Sequence, residues 1–190
     1  KVLIERVRQF IEEYNSEVDR YKRSGGKADP DDFVRYEKIK WSRDLKRDLR
    51  LGNYASFDEC KIRVSLYRPF CKESLFFDSI LNQDVHSLPV FFPTPATEKE
   101  NRVIVLSDVG FRAGSFSCLV ADCIPEAHLC ATSDGHQCFP YYVYAEDGSE
   151  RRENVTDWSL GRFREHYGDG SITKWDIFYY VYGLLHHPGY

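Results

Sequence analysis

Hydrophobic residues recur at three- and four-residue steps near both ends of the chain, which is the spacing of amphipathic helices. One helix is predicted over residues 1–22, and the glycines and proline of "RSGGKADPDD" are expected to end it. Two more are predicted near the C-terminus. The first runs from about Asp157 to Tyr167, and the second starts at Thr173, where "TKWD" has the form of a capping box.

The middle of the chain has the pattern of strands and turns. "KIRVSLYR" predicts a half-buried strand, in which Ile62, Val64 and Leu66 alternate with Arg63, Ser65 and Tyr67. "SLFFD" is its predicted hairpin partner, with the turn at residues 71–73. Further strands are predicted in "RVIVLSD", "SCLVAD" and "GHQCFPYYVY", and loops in "HSLPVFFPTPATEKEN", "VGFRAGSF" and "EDGSERRENVTD". The pattern predicts an α+β fold with a mixed, mostly antiparallel central sheet flanked by N-terminal and C-terminal helices.

The stretch "KIKWSRDLKRDLRLG" at residues 38–52 predicts a helix with two different sides, ending at Gly52. Trp41, Leu45 and Leu49 would lie within about 80° of one another, so they form a narrow apolar stripe that faces a core. The other side carries the cations Lys40, Arg43, Lys46, Arg47 and Arg50. Two interpretations follow: a solvated face, partly neutralised by two aspartates of the same helix, or a surface for DNA or RNA.

Charge is distributed unevenly along the 190 residues, although the formal net charge is only −4. Residues 1–72 hold 18 Lys and Arg against 13 Asp and Glu, whereas residues 73–190 hold 8 against 17. The basic helix is followed by more cations, namely Lys61, Arg63, Arg68 and Lys72. This asymmetry is compatible with a nucleic-acid partner for the first part of the chain. No run of 18 apolar residues predicts a membrane span.

The six cysteines predict structural, reduced thiols more readily than a metal site. No pair has C-x-x-C spacing, and intervals of 5, 7 and 8 between the last four match no zinc ribbon or finger. His128 and His136 lie among these four, so a zinc cluster stays an alternative.

Motifs that carry enzyme chemistry are scarce. The sequence contains no nucleotide-binding glycine loop, no nucleophile elbow and no H-E-x-x-H. Pro30-Asp31 followed by Glu59-Cys60-Lys61 fits the loose pattern of metal-dependent nucleases. A metal-dependent nuclease is therefore kept as a distant alternative. The aromatic residues of the last helix have the spacing of a core face, with a base-stacking platform as the alternative.

Three blocks of the sequence resemble a known family. They are "IKWSRDLKRDLRLG" with "FDECKIRVSLYRPFCKESLFFD", then "FSCLVADCIPEAHLCATSDGHQCFPYYVY", then "ENVTDWSLGRFREHYGDGSITKWDIFYYVYGLLHHPGY". In this order they are similar to the C-terminal specificity domain of type ISP restriction–modification enzymes, a class that contains adenine-specific DNA methyltransferases. The resemblance implies a DNA target recognition domain over residues 29–190, preceded by an N-terminal helical linker over residues 1–28. Because such chains usually continue past "LHHPGY", a fragment of a longer multidomain protein is expected.

The resemblance also implies what the parent chain does. Such enzymes join a nuclease, a helicase-like ATPase and an N6-adenine methyltransferase, which uses S-adenosylmethionine. The methyltransferase's "N-P-P-[YF]" loop is missing here, so neither activity nor cofactor is expected of this segment alone. S-adenosylmethionine, ATP and Mg²⁺ are expected for the parent enzyme, in the prokaryotic cytoplasm. The implied partners are double-stranded DNA and the methyltransferase domain of the same chain.

Site residues follow from the same resemblance. The cations expected to contact the DNA backbone are Lys40, Arg43, Lys46, Arg47, Arg50, Lys61, Arg63, Arg68 and Lys72. Arg112 in "VGFRAGSFS" is the first candidate for base contact, because arginine pairs bidentately with guanine, and Arg151 and Arg152 are second candidates. The alternative is a protein-interaction or coupling domain that docks through its aromatic last helix.

Overall fold

The structure is a computed structural model that describes residues 2–107, 116–130 and 135–189. The helices in these ranges are α1 (Val2–Arg23), α2 (Pro30–Phe33), α3 (Arg43–Leu51), α4 (Leu88–Phe91), α5 (Pro95–Glu100), α6 (Asp157–Tyr167) and α7 (Lys174–Leu185), with a 3₁₀ turn at Glu59–Lys61. The strands are β1 (Ile62–Arg68), β2 (Cys71–Phe76), β3 (Val103–Ser107), β4 (Cys118–Ala121), β5 (Ile124–Pro125), β6 (His136–Pro140), β7 (Tyr142–Val143) and β8 (Arg152–Glu153).

The predicted α+β class is confirmed. The described strands form small, mostly antiparallel sheets flanked by helices, in the orders β2–β1–β5, β4–β3–β6 and β7–β8. Strand β5 runs parallel to β1, and β3 pairs antiparallel with both β4 and β6. The helices predicted at the two ends of the chain are confirmed as α1, α6 and α7.

The chain divides into two compact units. The first comprises Lys1–Arg63 with Ser74–His86, and the second comprises Val64–Glu73 with Ser87–Tyr190. The chain therefore passes from one unit to the other within β1 and returns within β2. The predicted boundary between a linker and a recognition domain at residue 28 stays a prediction.

The core of the first unit is built by α1 and α3. Tyr14, Val18 and Leu49 are fully buried, and Leu45 is nearly so. The Tyr14 hydroxyl donates a hydrogen bond of 3.0 Å to the backbone carbonyl of Asn53, just after α3. Helix α1 therefore supplies one wall of the core against which the basic helix packs.

The second unit has a core in which α7 covers the sheet of β3, β4 and β6. Ile104 of β3, Cys118 of β4 and Phe178 of α7 are buried together with Tyr141. The Tyr141 ring stacks on Trp175 with 3.5 Å between ring centroids. Phe178 thus serves as core, as the aromatic spacing of α7 predicts, whereas Tyr179 and Tyr180 are 49% and 44% exposed.

Three predicted boundaries are wrong. Helix α3 begins at Arg43 instead of residue 38, because the Ser42 hydroxyl caps it by accepting from the Leu45 N–H at 3.1 Å. The hairpin turn lies at Pro69 and Phe70 instead of residues 71–73. The predicted loop before β3 contains α4 and α5, since proline suits the first helical turn and a capping box begins α5.

Burial along β1 follows the apolar alternation only in part, since Leu66 is buried. Arg63 and Ser65 are buried, whereas Val64 is 44% exposed. The reason is that β1 lies between β2 and β5, and the Ser65 hydroxyl donates a 3.0 Å hydrogen bond to the Ile124 carbonyl. A buried polar side chain such as that of Ser65 needs an internal hydrogen-bond partner.

Candidate nucleic-acid interface

Helix α3 is fixed by its caps and by its apolar side. Ser42 caps the start, and Gly52 ends the helix with a φ of 73°, in the left-handed region that glycine adopts without strain. Trp41, Leu45 and Leu49 are buried, as the predicted apolar stripe requires. Trp41 itself precedes the helix, and its indole N–H donates to the Arg35 carbonyl at 3.0 Å.

The opposite side of α3 presents cations to solvent. The side chains of Arg43, Arg47 and Arg50 are 74%, 60% and 62% exposed, whereas that of Lys46 is 21% exposed. These four residues line one groove of about 460 Å³ together with Pro30 and Asp31 of α2. Four of the nine predicted phosphate-contacting residues therefore lie together on one surface, which we call the α3 basic face.

Each cation of the α3 basic face has a carboxylate beside it. Besides the contacts of Asp44, the pairs are Arg43 Nη2 with Asp84 Oδ1 at 2.6 Å, Arg47 Nη2 with Asp48 Oδ2 at 3.1 Å, Arg50 Nη2 with Asp29 Oδ1 at 3.9 Å, and Lys46 with Asp31. Only Asp48 among these carboxylates belongs to α3. Residues as distant as Asp84, 41 positions after Arg43, could not be assigned to this face from the sequence.

Asp44 organises the centre of this network. Its Oδ2 accepts from the backbone N–H of Asp84 at 3.0 Å, and this hydrogen bond is the main cause that lowers its pKa. Its Oδ1 lies 3.3 Å from Arg43 Nε and 3.6 Å from Arg47 Nη1. The Asp44 carboxylate also raises the pKa of Arg43, so both groups stay charged.

These ion pairs position the cations but are weak enough to be exchanged for another anion. Exposed ion pairs contribute about 0–1 kcal/mol each, because water and salt screen them. A phosphate oxygen can therefore replace a carboxylate at modest cost. The arrangement is suited to bind a row of phosphates along α3 by such an exchange.

The other predicted cations of the first unit have different surroundings. Lys61 Nζ contacts Asp78 Oδ2 at 2.6 Å, and the Asp78 side chain is only 4% exposed. Asp78 also accepts from the backbone N–H groups of Ile80 and Leu81, so Lys61 supports a local turn. Arg63 is 5% exposed, so a phosphate would reach its guanidinium only after a rearrangement, and its contact with the DNA backbone stays a prediction.

In the second unit, two predicted phosphate contacts pair with acids. Arg68 Nη1 contacts Glu126 Oε2 at 2.8 Å, and its guanidinium lies over the Tyr67 ring at 4.2 Å. Lys72 Nζ contacts Asp122 Oδ1 at 2.7 Å, which raises the pKa of Lys72. Both cations remain about half exposed.

The structure describes two of the three predicted base-contacting residues. Arg151 pairs with Glu100 at 2.5 Å and lies over the Tyr142 ring at 4.7 Å, and Arg152 is exposed on β8. Arg112 lies outside the described residues. The roles of all three remain predictions.

The nuclease and zinc alternatives gain no support. Asp31 pairs with Lys46, and Lys61 pairs with Asp78. Over the described ranges, no group of three or more His, Cys, Asp or Glu side chains could hold a metal ion. The cysteines and histidines of the zinc alternative lie within those ranges, and the absence of metal stays a prediction. None of the described helices is long and apolar enough to cross a bilayer.

The cysteine thiols are free, and they differ in their exposure to solvent. Cys118 and Cys123 are buried, whereas Cys60 and Cys71 are exposed. Burial raises the pKa of Cys118 and of Cys123 to about 11 and that of Cys138 to about 12. The buried thiols are therefore protonated and act as small apolar groups.

Comparison with known proteins assigns the chain to a family. The model for the type ISP C-terminal specificity domain matches residues 1–190. Curated protein sequences gave no match. The DrdV–DNA complex determined by cryoEM is similar at 35% identity over 98% of this chain, with a TM-score of 0.78. A nuclease-deletion mutant of the type ISP enzyme LlaGI, solved with a DNA substrate mimic, is 29% identical over 98% of this chain, with a TM-score of 0.75.

A third structure supports the fold alone. The ATP-dependent type ISP enzyme LlaBIII bound to DNA is 22% identical over 95% of this chain, with a TM-score of 0.67. This chain spans 17%, 16% and 11% of the DrdV, LlaGI and LlaBIII chains respectively. It therefore corresponds to one segment of much longer proteins. On the family match over its whole length, this chain belongs to the type ISP C-terminal specificity domains.

Proposed function

We propose that this chain is the sequence-specific double-stranded DNA recognition module of a restriction–modification enzyme. The observation that carries the proposal is its similarity, over 98% of its length, to a segment of a protein solved as a DNA complex. The α3 basic face adds a physical reason, because three of its guanidinium groups are more than half exposed. Phosphate contacts of this kind position a protein on the duplex, and base contacts then select the sequence.

The proposal extends to the parent enzyme. The complete chain would methylate adenine at N6 with S-adenosylmethionine and cleave unmodified DNA with the help of ATP and Mg²⁺. The methyltransferase domain of the same chain would be the partner of this module, which has no activity of its own. The setting is the prokaryotic cytoplasm, where such enzymes defend the cell against phage.

The proposed phosphate contacts are those of the exposed cations. They are Lys40, Arg43, Lys46, Arg47, Arg50, Arg68 and Lys72, with Lys61 as a weaker member because Asp78 already holds it. Arg112, Arg151 and Arg152 remain the proposed base-contacting residues. Glu100 pairs with Arg151 as Asp84 pairs with Arg43, so Arg151 must exchange its partner before it contacts a base.

A salt titration of duplex binding tests the proposal. Binding of the full-length chain to its methylation target and to an unrelated duplex is measured by fluorescence anisotropy at increasing salt. Each neutralised phosphate contributes about 0.9 to the slope of log affinity against log salt. We expect a steep slope for both duplexes and higher affinity for the target. A shallow slope with equal affinities would contradict the proposal.

A second candidate is a protein-docking domain, and one observation favours it. Helix α7 exposes Tyr179, Tyr180 and Leu184 by 49%, 44% and 47%, and α6 exposes Trp158 by 75%. Apolar side chains exposed on neighbouring helices are typical of a surface that another domain covers. The two roles are compatible, but only the docking role predicts that Trp158→Ala weakens assembly while duplex affinity stays unchanged.

A further inference from the structure

The tip of the β1–β2 hairpin is occupied by a phenylalanine that contacts almost nothing. Pro69 and Phe70 are the two residues that connect the strands, and Phe70 is 98% exposed. Scattered exposed apolar residues are common, so exposure alone carries no conclusion. The backbone and the surroundings of Phe70 supply the further observations.

The backbone of Phe70 is in a conformation that phenylalanine rarely adopts. Its φ is +67°, in the left-handed region, where glycine and asparagine are the usual residues. Because proline fixes its own φ near −65°, the turn has the sign pattern of type II, which favours glycine at the position of Phe70. Type II turns also match the twist of two-residue hairpins poorly. A bulky residue kept in such a position is typical of a functional site.

The hairpin projects beyond the rest of its sheet. Strand β5 pairs with β1 at Ser65 and Leu66, and the last hydrogen bond in this direction runs from the Glu126 N–H to the Leu66 carbonyl. From Tyr67 onward the described part of the sheet is the two-stranded β1–β2 ribbon. A two-stranded ribbon is narrow enough to enter the major groove of B-form DNA.

Two cations flank the tip at equal distance along the chain. Arg68 and Lys72 each lie two residues from Phe70 and are 43% and 49% exposed. In this structure Arg68 pairs with Glu126 and Lys72 pairs with Asp122, and both acids belong to the segment around β5. A further acid, Glu73, follows Lys72 on β2. Phosphates on either side of a groove can replace these carboxylates, as on the α3 basic face.

We propose that Phe70 is a DNA-contacting residue whose ring stacks against the bases at the recognised site. The inference rests on the proposed DNA-recognition function and adds a residue that neither charge nor loop composition indicates. Aromatic rings stack on any base, so Phe70 contributes affinity through unstacked or deformed base steps. Arg68 and Lys72 then place the ribbon by phosphate contact.

The test compares Phe70→Gly with one control variant in the full-length chain. Glycine accepts a φ of +67° without strain, so the variant should keep its fold and melt at the wild-type temperature or above. Its affinity for the target duplex should fall about 5- to 150-fold, the value of one stacked base. The salt slope should stay unchanged, because no phosphate contact is lost. Phe139→Ala, which removes an aromatic of β6 that is 45% exposed, should leave affinity unchanged.

A photocrosslink separates base stacking from protein docking. Target duplexes with 5-iodouracil at successive positions should crosslink at one position to the peptide that contains Phe70. If the wild-type chain binds the duplex and Phe70→Gly binds it with the same affinity, the inference is overturned while the proposed function stands. Reduced affinity without a crosslink to the hairpin would also overturn it, in favour of docking on another domain. Absence of duplex binding by the wild-type chain would refute the proposed function and the inference with it.

Discussion

Neutralising the three most exposed arginines of α3 would measure their contribution to DNA binding. The variant carries Arg43→Gln, Arg47→Gln and Arg50→Gln, whose side chains are 74%, 60% and 62% exposed. Loss of three phosphate contacts would flatten the slope of log affinity against log salt by up to about 2.7. Near physiological salt this corresponds to about two orders of magnitude in affinity, for target and unrelated duplexes alike.

The fold should survive this change because the carboxylates keep other donors. Asp44 still accepts from the backbone N–H of Asp84 at 3.0 Å, and Asp48 still accepts from the Asn53 side-chain amide at 2.8 Å. The buried side of α3 is untouched. Exposed ion pairs of this kind stabilise by about 0–1 kcal/mol each. Circular dichroism and thermal melting check that the variant is folded before any binding measurement is interpreted.

The matched control removes the same net charge from another surface of the first unit. It carries Arg6→Gln and Arg23→Gln on α1 and Lys27→Gln just after it, all at exposed positions. Fluorescence anisotropy is recorded between about 50 and 200 mM salt, where phosphate contacts dominate the salt dependence. The control should keep the wild-type slope. A folded α3 variant with the wild-type slope would refute the DNA-facing role of this helix.

Three further predictions concern single residues. Leu49→Ala, at a fully buried position of α3, should lower the free energy of unfolding by about 2–5 kcal/mol in urea denaturation, and a loss under about 1 kcal/mol would contradict the core assignment. Cys60 and Cys71 should react quickly with a thiol reagent near pH 8, while Cys123, which is buried and whose pKa is raised to about 11, should react only after unfolding. Arg112→Ala in the full-length chain should reduce the discrimination between target and unrelated duplexes by about 1–3 kcal/mol and should change general affinity less. An unchanged target preference would remove Arg112 as a base-contacting residue.

The helices were predictable because their apolar spacing is a local property. The stripe of Trp41, Leu45 and Leu49 is fully buried or nearly so, as its periodicity indicates. The start of α3 was misplaced by five residues, since Trp41 packs in the core from an extended segment before Ser42. Periodicity alone does not distinguish a core residue inside a helix from one just before it.

The orientation of β1 depended on a partner far along the chain. Alternation shows that a strand has two different faces, but not which face is covered. Here β5 pairs at Ser65 and Leu66, and the buried Ser65 donates its hydroxyl hydrogen bond to the Ile124 carbonyl. The position of β5, nearly 60 residues later, has no signature in "KIRVSLYR" itself.

The sequence predicted the cations of the α3 basic face but not the carboxylates that pair with them. Arg43, Arg47 and Arg50 lie on one exposed side, as the helical wheel indicates. The carboxylates of Asp29 and Asp84 reach them through tertiary packing, so the face is close to neutral in the absence of DNA. Charge counts along the chain therefore overstate the free positive charge of this surface.

An exchange of segments tests the central claim most directly. This chain would be replaced, within its full-length enzyme, by the matching segment of the 35% identical DrdV chain, and methylated adenines would be mapped by single-molecule sequencing. If this module specifies the target, the methylated sequence should change to that of the DrdV segment. Methylation that continues at the original sequence would contradict the claim.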